Sequence, residues 1–251
     1  MTTQAVDKAI AILEQFSTTE PQLGVSELAR RLDSTPSTAH RLLGSLVKAG
    51  MVAQDPGTRR YMLGREAVQL GYTAIYSDPL LHVALPYLHY LAGHLSEAVY
   101  LAERRGLEAA PVLQVLSPVI QEQLGWYTTI PLHSTSAGKV LLAYADQVDL
   151  DTLLGKELPH PTEHTITDPA QLRQELQRVR EEGYATCFEE KELGYNGVGV
   201  PVWNPEGQVV AALAIAGPSY RLTRDQAVAS VEKLKAISGE ITRKVQSLLK
   251  E

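Results

Sequence analysis

The sequence predicts an α+β fold in two parts: a small helical domain closed by a hairpin, then a larger sheet domain with helices packed on it. Three observations predict it. Across the first fifty residues, apolar side chains recur at helical spacing in three short runs separated by breakers. From about Ala98 the texture changes to valine-, alanine- and isoleucine-rich runs bounded by turn residues, with amphipathic helical stretches between them. The 251 residues, 44% hydrophobic and 21% charged, suffice for two modest globular domains and are too apolar for a disordered chain.

Residues 6–16, VDKAIAILEQF, place Val6, Ala9, Ile10, Leu13 and Phe16 at helical spacing and predict a first helix. In VSELARRLDS, Ser26 is the expected N-cap of a second, with Leu28, Ala29 and Leu32 inward. The third run is STPSTAHRLLGSLVKAG, residues 34–50. Thr35 can cap it, Pro36 takes the first helical position, where a missing N–H costs nothing, and Gly50 stops it. Ala39, Leu42, Leu43 and Leu46 face a core, which leaves Ser37, Thr38, Arg41 and Ser45 outside and His40 at one flank. MVAQDPGTRRYML reads as two short strands about the turn Asp55–Thr58, bringing Arg59 and Arg60 beside the third helix. Three helices and a hairpin make a winged helix-turn-helix over residues 1–63.

That arrangement suits duplex DNA. The major groove admits one helix, and short polar side chains let its backbone come close to the base edges. Ser26, Thr35, Ser37, Thr38, His40 and Arg41 are the candidate contacts of the helices, and Arg59 and Arg60 those of the wing. The net charge is −6, yet the window 26–62 holds six basic residues and three acidic ones, a local patch of the sign phosphate needs. The alternative is an ordinary solvated face, or a three-helix module that contacts protein.

Residues 64–78 are helical in pattern and predict a linker helix. A further helix follows from about Leu80 to Leu95, interrupted by Pro86. AVYLAE and APVLQVLS predict a hairpin; TIPLHSTSAGKVLLAY a loop and then a helix. DPAQLRQELQRVREEG predicts an amphipathic helix with Leu172, Leu176 and Val179 inward and Gly183 as its stop. GYATCFEE, GVGVPVW and VVAALAIAG predict strands, and the C-terminal stretch from Thr223 one long helix.

These stretches, from AIAILEQF and VSELARRLDSTPSTAHRLLGSLVKAGMVAQDPGTRRYMLG to PLHSTSAGKVLLA and GYATCFEEKELGYNGVGVPVWNPEGQVVAALAIAGP, resemble IclR-family bacterial transcriptional regulators in order over nearly the whole chain. The resemblance implies a GAF-like α/β effector-binding and oligomerisation domain over residues 79–251. It also implies a homodimer or a homotetramer built from dimers, and near-palindromic operators, often beside catabolic operons. A repressor sensing a small organic acid is the expected role. By the same resemblance the effector pocket falls on Ser136, Ala137, Gly138, Phe188, Asn196, Gly197, Ala214 and Ala216. Ser136, Ala137 and Gly138 open a helix whose N–H groups suit a carboxylate. Family members that bind small polar acids place polar side chains on the strands; here the matching residues are small or apolar, which favours an aromatic or largely apolar acid. The alternative is that the small residues fill a tight sheet core.

No catalytic constellation, metal site or cofactor is expected. SAGKV lacks the earlier glycine and the following hydroxyl of a phosphate loop, having His133 and Val140 there. Pro161 works against a helix holding His160 and His164 as metal ligands, and Glu189 and Glu190 would point to opposite faces of a strand. Cys187 is the sole cysteine, so no intrachain disulfide can form. With no apolar run long enough for a bilayer and no signal-like N-terminus, the expectation is a cytoplasmic protein without membrane contact. The competing function is a metabolite-binding sensor or enzyme whose N-terminal helices only contact protein.

Overall fold

The computed structural model describes residues 4–17, 19–117 and 129–249, and these divide into two compact units, the first within residues 4–77 and the second made of residues 78–117 and 129–249. The ends of the expected domains, residues 1–3 and 250–251, lie outside the described residues.

In the first unit α1 (Gln4–Leu13), α2 (Val25–Arg31) and α3 (Pro36–Lys48) precede a hairpin of β1 (Val52–Gln54) and β2 (Tyr61–Leu63), and α4 (Arg65–Ser77) follows. α1 ends before Phe16, which still packs against the core. Ser26 does not cap α2. Gly24 is the N-cap, and the Glu27 carboxylate reaches back to its N–H at 3.5 Å. The reason lies one residue earlier: Leu23 exchanges backbone hydrogen bonds of 2.9 and 2.8 Å with Tyr61 of the hairpin, so strand pairing runs directly into the helix. Ser26 is left exposed in the first turn.

The ends of α3 follow the sequence. Thr35 Oγ1 accepts the Thr38 N–H at 3.3 Å, and Pro36 is the first helical residue. Gly50 adopts φ +71°; its N–H donates to the Val47 carbonyl and the Met51 N–H to that of Leu46, each at 3.0 Å, the paired bonds of a Schellman stop. Ala39, Leu43 and Leu46 are buried, the two leucines in one cluster with Ile12, Leu28 and Val52. Each fully buried leucine contributes roughly 1.5–3 kcal/mol, so the roll of α3 about its axis is fixed.

The second unit opens with α5 (Pro79–Leu95), capped by Asp78 and unbroken at Pro86, contrary to expectation. Pro86 forfeits one helical bond at an exposed position, while buried Val83, Ala84, Leu88 and Leu91 hold the turns on either side. A six-stranded sheet follows, with every pair antiparallel, in the order β5 (Ile130–Pro131), β4 (Glu108–Val115), β3 (Ala98–Arg105), β8 (Val209–Pro218), β7 (Tyr195–Trp203), β6 (Ala185–Phe188). Its helices are α6 (Ser136–Ala143), α7 (Gln147–Leu154), α8 (Pro169–Glu182), α9 (Arg224–Ala229) and α10 (Val231–Leu248). α7, capped by Asp146, was not expected from the sequence. The single C-terminal helix is instead two: the chain breaks at Ser230, whose hydroxyl donates to the Gln226 carbonyl at 2.8 Å.

The two faces of the sheet differ in side-chain size. Register aligns Val99 with Ile215 and Val198, and Leu101 with Leu213 and Val200, on one face. The other aligns Ala98, Ala216, Gly197 and Cys187 in one row and Tyr100, Ala214, Gly199 and Ala185 in the next. α6 lies on this small-residue face and is buried along its whole length. The helix is also crowded by the chain leading into it: a Cβ on Gly138 would stand 2.4 Å from the Pro131 carbonyl oxygen at the end of β5 and 2.6 Å from the Leu132 Cα. Because both neighbours are backbone, Gly138→Ala is expected to destabilise the second unit by about 1–3 kcal/mol or more, read as a lower urea midpoint of the full-length chain.

Candidate nucleic-acid interface and effector face

Because Ala39, Leu43 and Leu46 point inward, the opposite side of α3 is turned outward. Thr35, Ser37, His40, Arg41 and Ser45 are exposed and Thr38 is half-buried, its hydroxyl 3.0 Å from that of Thr35. The Arg41 side chain stands in solvent with Ser37 one turn ahead of it. Asp55 shapes the wing, its carboxylate accepting the Gly57 and Thr58 N–H groups at 3.0 and 2.6 Å and the Thr58 hydroxyl at 2.9 Å. These bonds, those from Thr58 foremost, hold its pKa below the usual carboxylate value.

The two wing arginines part company. Arg59, at φ +61°, turns its side chain to solvent. Arg60 folds back: its guanidinium donates to the Gln22 carbonyl at 2.8 and 3.3 Å and meets Glu27 at 3.2 Å. Glu27 also binds Arg31, which in turn binds Glu20 at 2.7 Å. Arg60 therefore ties the hairpin to the start of α2, a structural use the sequence did not reveal.

The eight effector candidates do not share one face. Side chains alternate along a strand, so Asn196 and its pairing partner Phe188 lie opposite Gly197 and Cys187. Asn196 donates to the Leu222 carbonyl at 2.9 Å, and Arg224 of α9 stacks 5.0 Å from the Phe188 ring, both on the far side of the sheet from α6. Ala214 is on the α6 side but buried in the hydrophobic core there. The Gly138 N–H is taken by Thr35's counterpart in this unit, the N-cap Thr135, at 3.1 Å. Ser136, Ala137, Gly197 and Ala216 do converge: a Cβ on Gly197 would lie 3.1 Å from the Ser136 hydroxyl and 3.8 Å from the Ala216 methyl. As the first two helical residues, Ser136 and Ala137 carry N–H groups with no intrahelical acceptor.

Tyr100 and Cys187, neither of them a sequence candidate for the pocket, join that cluster, and so does Ser134. Tyr100 shares a hydrogen bond with the Ser136 side chain, and burial pushes its pKa up against that bond. The Cys187 thiol donates to the Ser134 carbonyl at 3.2 Å, and burial, reinforced by the Glu190 charge, keeps it protonated. Ser134 is fully buried. The family resemblance pointed to Gly197, Ala214 and Ala216; Cys187 needed the cross-strand register, which a sequence does not carry.

The family pattern described as IclR helix-turn-helix domain matches residues 5–56, and that described as Bacterial transcriptional regulator IclR C-terminal matches residues 72–243. The chain belongs to the IclR family. It is 32% identical to the HTH-type transcriptional repressor AllR of Escherichia coli K12, over 95% of this chain and 89% of that one. It is 30% identical to the HTH-type transcriptional regulator XynR of the same strain, over 87% and 88%. Among solved structures, an IclR homolog from Microbacterium hydrocarbonoxydans complexed with 4-hydroxybenzoate superposes with a TM-score of 0.82 at 25% identity, covering 97% of this chain and all of that one. The protein is thus a ligand-responsive DNA-binding transcriptional regulator and not an enzyme, which removes the competing sensor-or-enzyme reading. No helix among the described residues is long and apolar enough to cross a membrane.

This IclR-family chain also buries a charge beside the candidate effector face. Lys139, next to Gly138, is 1% exposed and donates to Glu190 at 2.8 and 3.0 Å and to Glu175 at 3.0 Å. Burial raises the Glu190 pKa against the pull of Lys139. Burial acts on Glu175 in the same direction, but Arg178 and Lys139 together outweigh it and hold that carboxyl low. The cluster joins α6, α8 and the end of β6, where Thr162 and Thr165 hydroxyls donate to the Glu189 and Glu190 carbonyls, each at 2.6 Å. Removing one partner from a buried pair strands the other charge. Lys139→Met is therefore expected to lose about 3–5 kcal/mol in urea unfolding, and a loss below about 1 kcal/mol would show the acids re-pairing elsewhere.

Proposed function

We propose that the chain acts as a repressor that binds a near-palindromic operator as a homodimer, or as a tetramer of two such dimers. In this reading α3 enters the major groove with Ser37, Thr38, His40 and Arg41 toward the bases and backbone, Thr35 and Ser26 near phosphate, and Arg59 at the flanking backbone or minor groove. The observation that carries it is the roll of α3: burial of Ala39, Leu43 and Leu46 leaves that polar face outward and unobstructed within its unit. Arg60 is assigned to holding the wing rather than to DNA, since its guanidinium is already bound to Gln22 and Glu27.

Dimerisation is supported by α4, which has no buried residue although Val68, Tyr72 and Tyr76 recur at i, i+4, i+8 and are 71%, 60% and 47% exposed. Packing that stripe against its counterpart in a second chain would place two reading helices in successive major grooves, about 34–36 Å apart. An effector that favours one packing of the two linkers would then change operator affinity.

For the effector, the reading is an aromatic or otherwise largely apolar carboxylic acid seated against Gly197 and Ala216 at the start of α6. Small walls, nearby hydroxyls and free helix N–H groups support it, as does the 4-hydroxybenzoate bound by the Microbacterium homolog.

The test is a gel shift with DNA from upstream of the chain's own gene. Arg41→Ala, which leaves the core intact, is expected to weaken specific binding by roughly 1–3 kcal/mol and relax preference at one base position. Arg59→Ala should weaken binding to all sequences and reduce the slope of log affinity against log salt by about 1. Unchanged affinity and sequence preference in Arg41→Ala would remove α3 from the groove.

A further inference from the structure

Arginine stands at a position of the wing that a hairpin ordinarily gives to glycine. The Asp55 N–H donates to the Arg60 carbonyl and the Arg59 N–H to the Asp55 carbonyl, each at 2.9 Å, so Arg59 and Arg60 together oppose the single residue Asp55. That is the pattern of a bulge whose first residue is left-handed and is usually glycine. Here the residue is Arg59, at φ +61°. A side chain crowds the following carbonyl in this conformation, so it persists only where its surroundings hold it, and such residues cluster at functional sites.

Glycine could make the same two backbone bonds. A third bond is particular to this wing: Gln54 Nε2 donates to the Arg59 carbonyl at 2.9 Å. Gln54 is the last residue of β1, pairs with Tyr61 and is half-buried. Its amide grips the peptide that follows the strained residue, while the Asp55 carbonyl grips the one that precedes it. With both peptides fixed, the direction in which Arg59 leaves the backbone is fixed as well. Its guanidinium stands in solvent, whereas that of Arg60 is bound to Gln22 and Glu27.

We propose that Gln54 is a positioning residue for DNA binding: its side-chain amide locks Arg59 in the left-handed conformation and so presents the wing guanidinium to the duplex. The inference rests on the reading of Arg59 as a DNA contact, and it adds the residue that orients that contact. A side chain carried on a fixed backbone has less freedom left to lose on binding than one carried on a mobile loop. Gln54 therefore acts through Arg59 alone, without touching DNA.

The experiment is a double-mutant cycle in the full-length chain, read as affinity for a duplex from upstream of its own gene at several salt concentrations. Gln54→Met keeps the length of the side chain and removes its donor. It should weaken binding by about three-fold or more, the loss expected of one hydrogen bond, and by no more than Arg59→Ala does. In the Arg59→Ala background the same change should leave both affinity and salt slope unaltered. An equal loss in the two backgrounds overturns the proposal, because Gln54 then acts on the wing without Arg59. Full affinity in Gln54→Met, with Arg59→Ala impaired, overturns it too but leaves the reading of Arg59 standing. Full affinity in Arg59→Ala overturns both. Arg59→Gly tests the strain independently of Gln54. It should bind DNA as weakly as Arg59→Ala yet slow amide exchange across residues 52–63, since glycine adopts positive φ freely. Faster exchange there overturns the premise that Arg59 is strained.

Discussion

Burial of a single stripe decides which residues are left to work in each half of this molecule. In the first unit, Leu43 and Leu46 cluster with Ile12, Leu28 and Val52 and Ala39 is buried beside them on the same helix face, and a helix that buries those three can show solvent just one other side. The Thr35 cap and the Gly50 stop fix where that side begins and ends, so Ser37, His40 and Arg41 are presented as a short, sharply bounded polar face. The wing is held in register with it by strand pairing to Leu23 and by the bridge from Arg60 to Glu27.

The second unit applies the same rule to a sheet. Its face of valine, leucine and isoleucine is fully buried, while the face of alanine and glycine lets α6 lie so close that a Cβ on Gly199 would stand 3.2 Å from the Ser136 carbonyl carbon and 3.3 Å from the Ala137 nitrogen. That close approach has a consequence for function. It brings the first turn of α6, with its unpaired N–H groups, directly onto Gly197 and Ala216, and it leaves small residues where a ligand's apolar body would need room. Packing and the proposed effector site therefore adjoin: Ala214 and Gly199 serve packing, and Gly197 and Ala216, one step along, border the face proposed for the effector. The buried Lys139 cluster sits immediately behind and ties α6 to α8 and the β6 end.

How much of this was legible depended on how local the signal was. The cap, the proline, the apolar period and the stopping glycine of α3 fall within seventeen consecutive residues, and the reading face followed from them. The effector face did not follow as well, because it depends on which strand residues share a side. The family resemblance groups Phe188 and Asn196 with Gly197, although a step of one residue on a strand changes sides. Lys139 was discounted as part of a failed phosphate loop. Its surroundings held a better clue: Ala137, Val140, Leu141, Leu142 and Ala143 make α6 apolar all round, so any charge in it must be buried and paired. Ser26 lost its cap, and the Arg60 guanidinium its freedom, to contacts reaching across the fold from Tyr61 and Glu27.

The central claim is that the outward face of α3 and the tip of the wing are the surfaces that meet DNA. Amide hydrogen exchange of the full-length chain, with and without a duplex from upstream of its own gene, tests it most directly. Slowed exchange concentrated in residues 34–41 and 57–60 is the predicted result. Protection confined to other segments, with those two unchanged in the bound state, would contradict it.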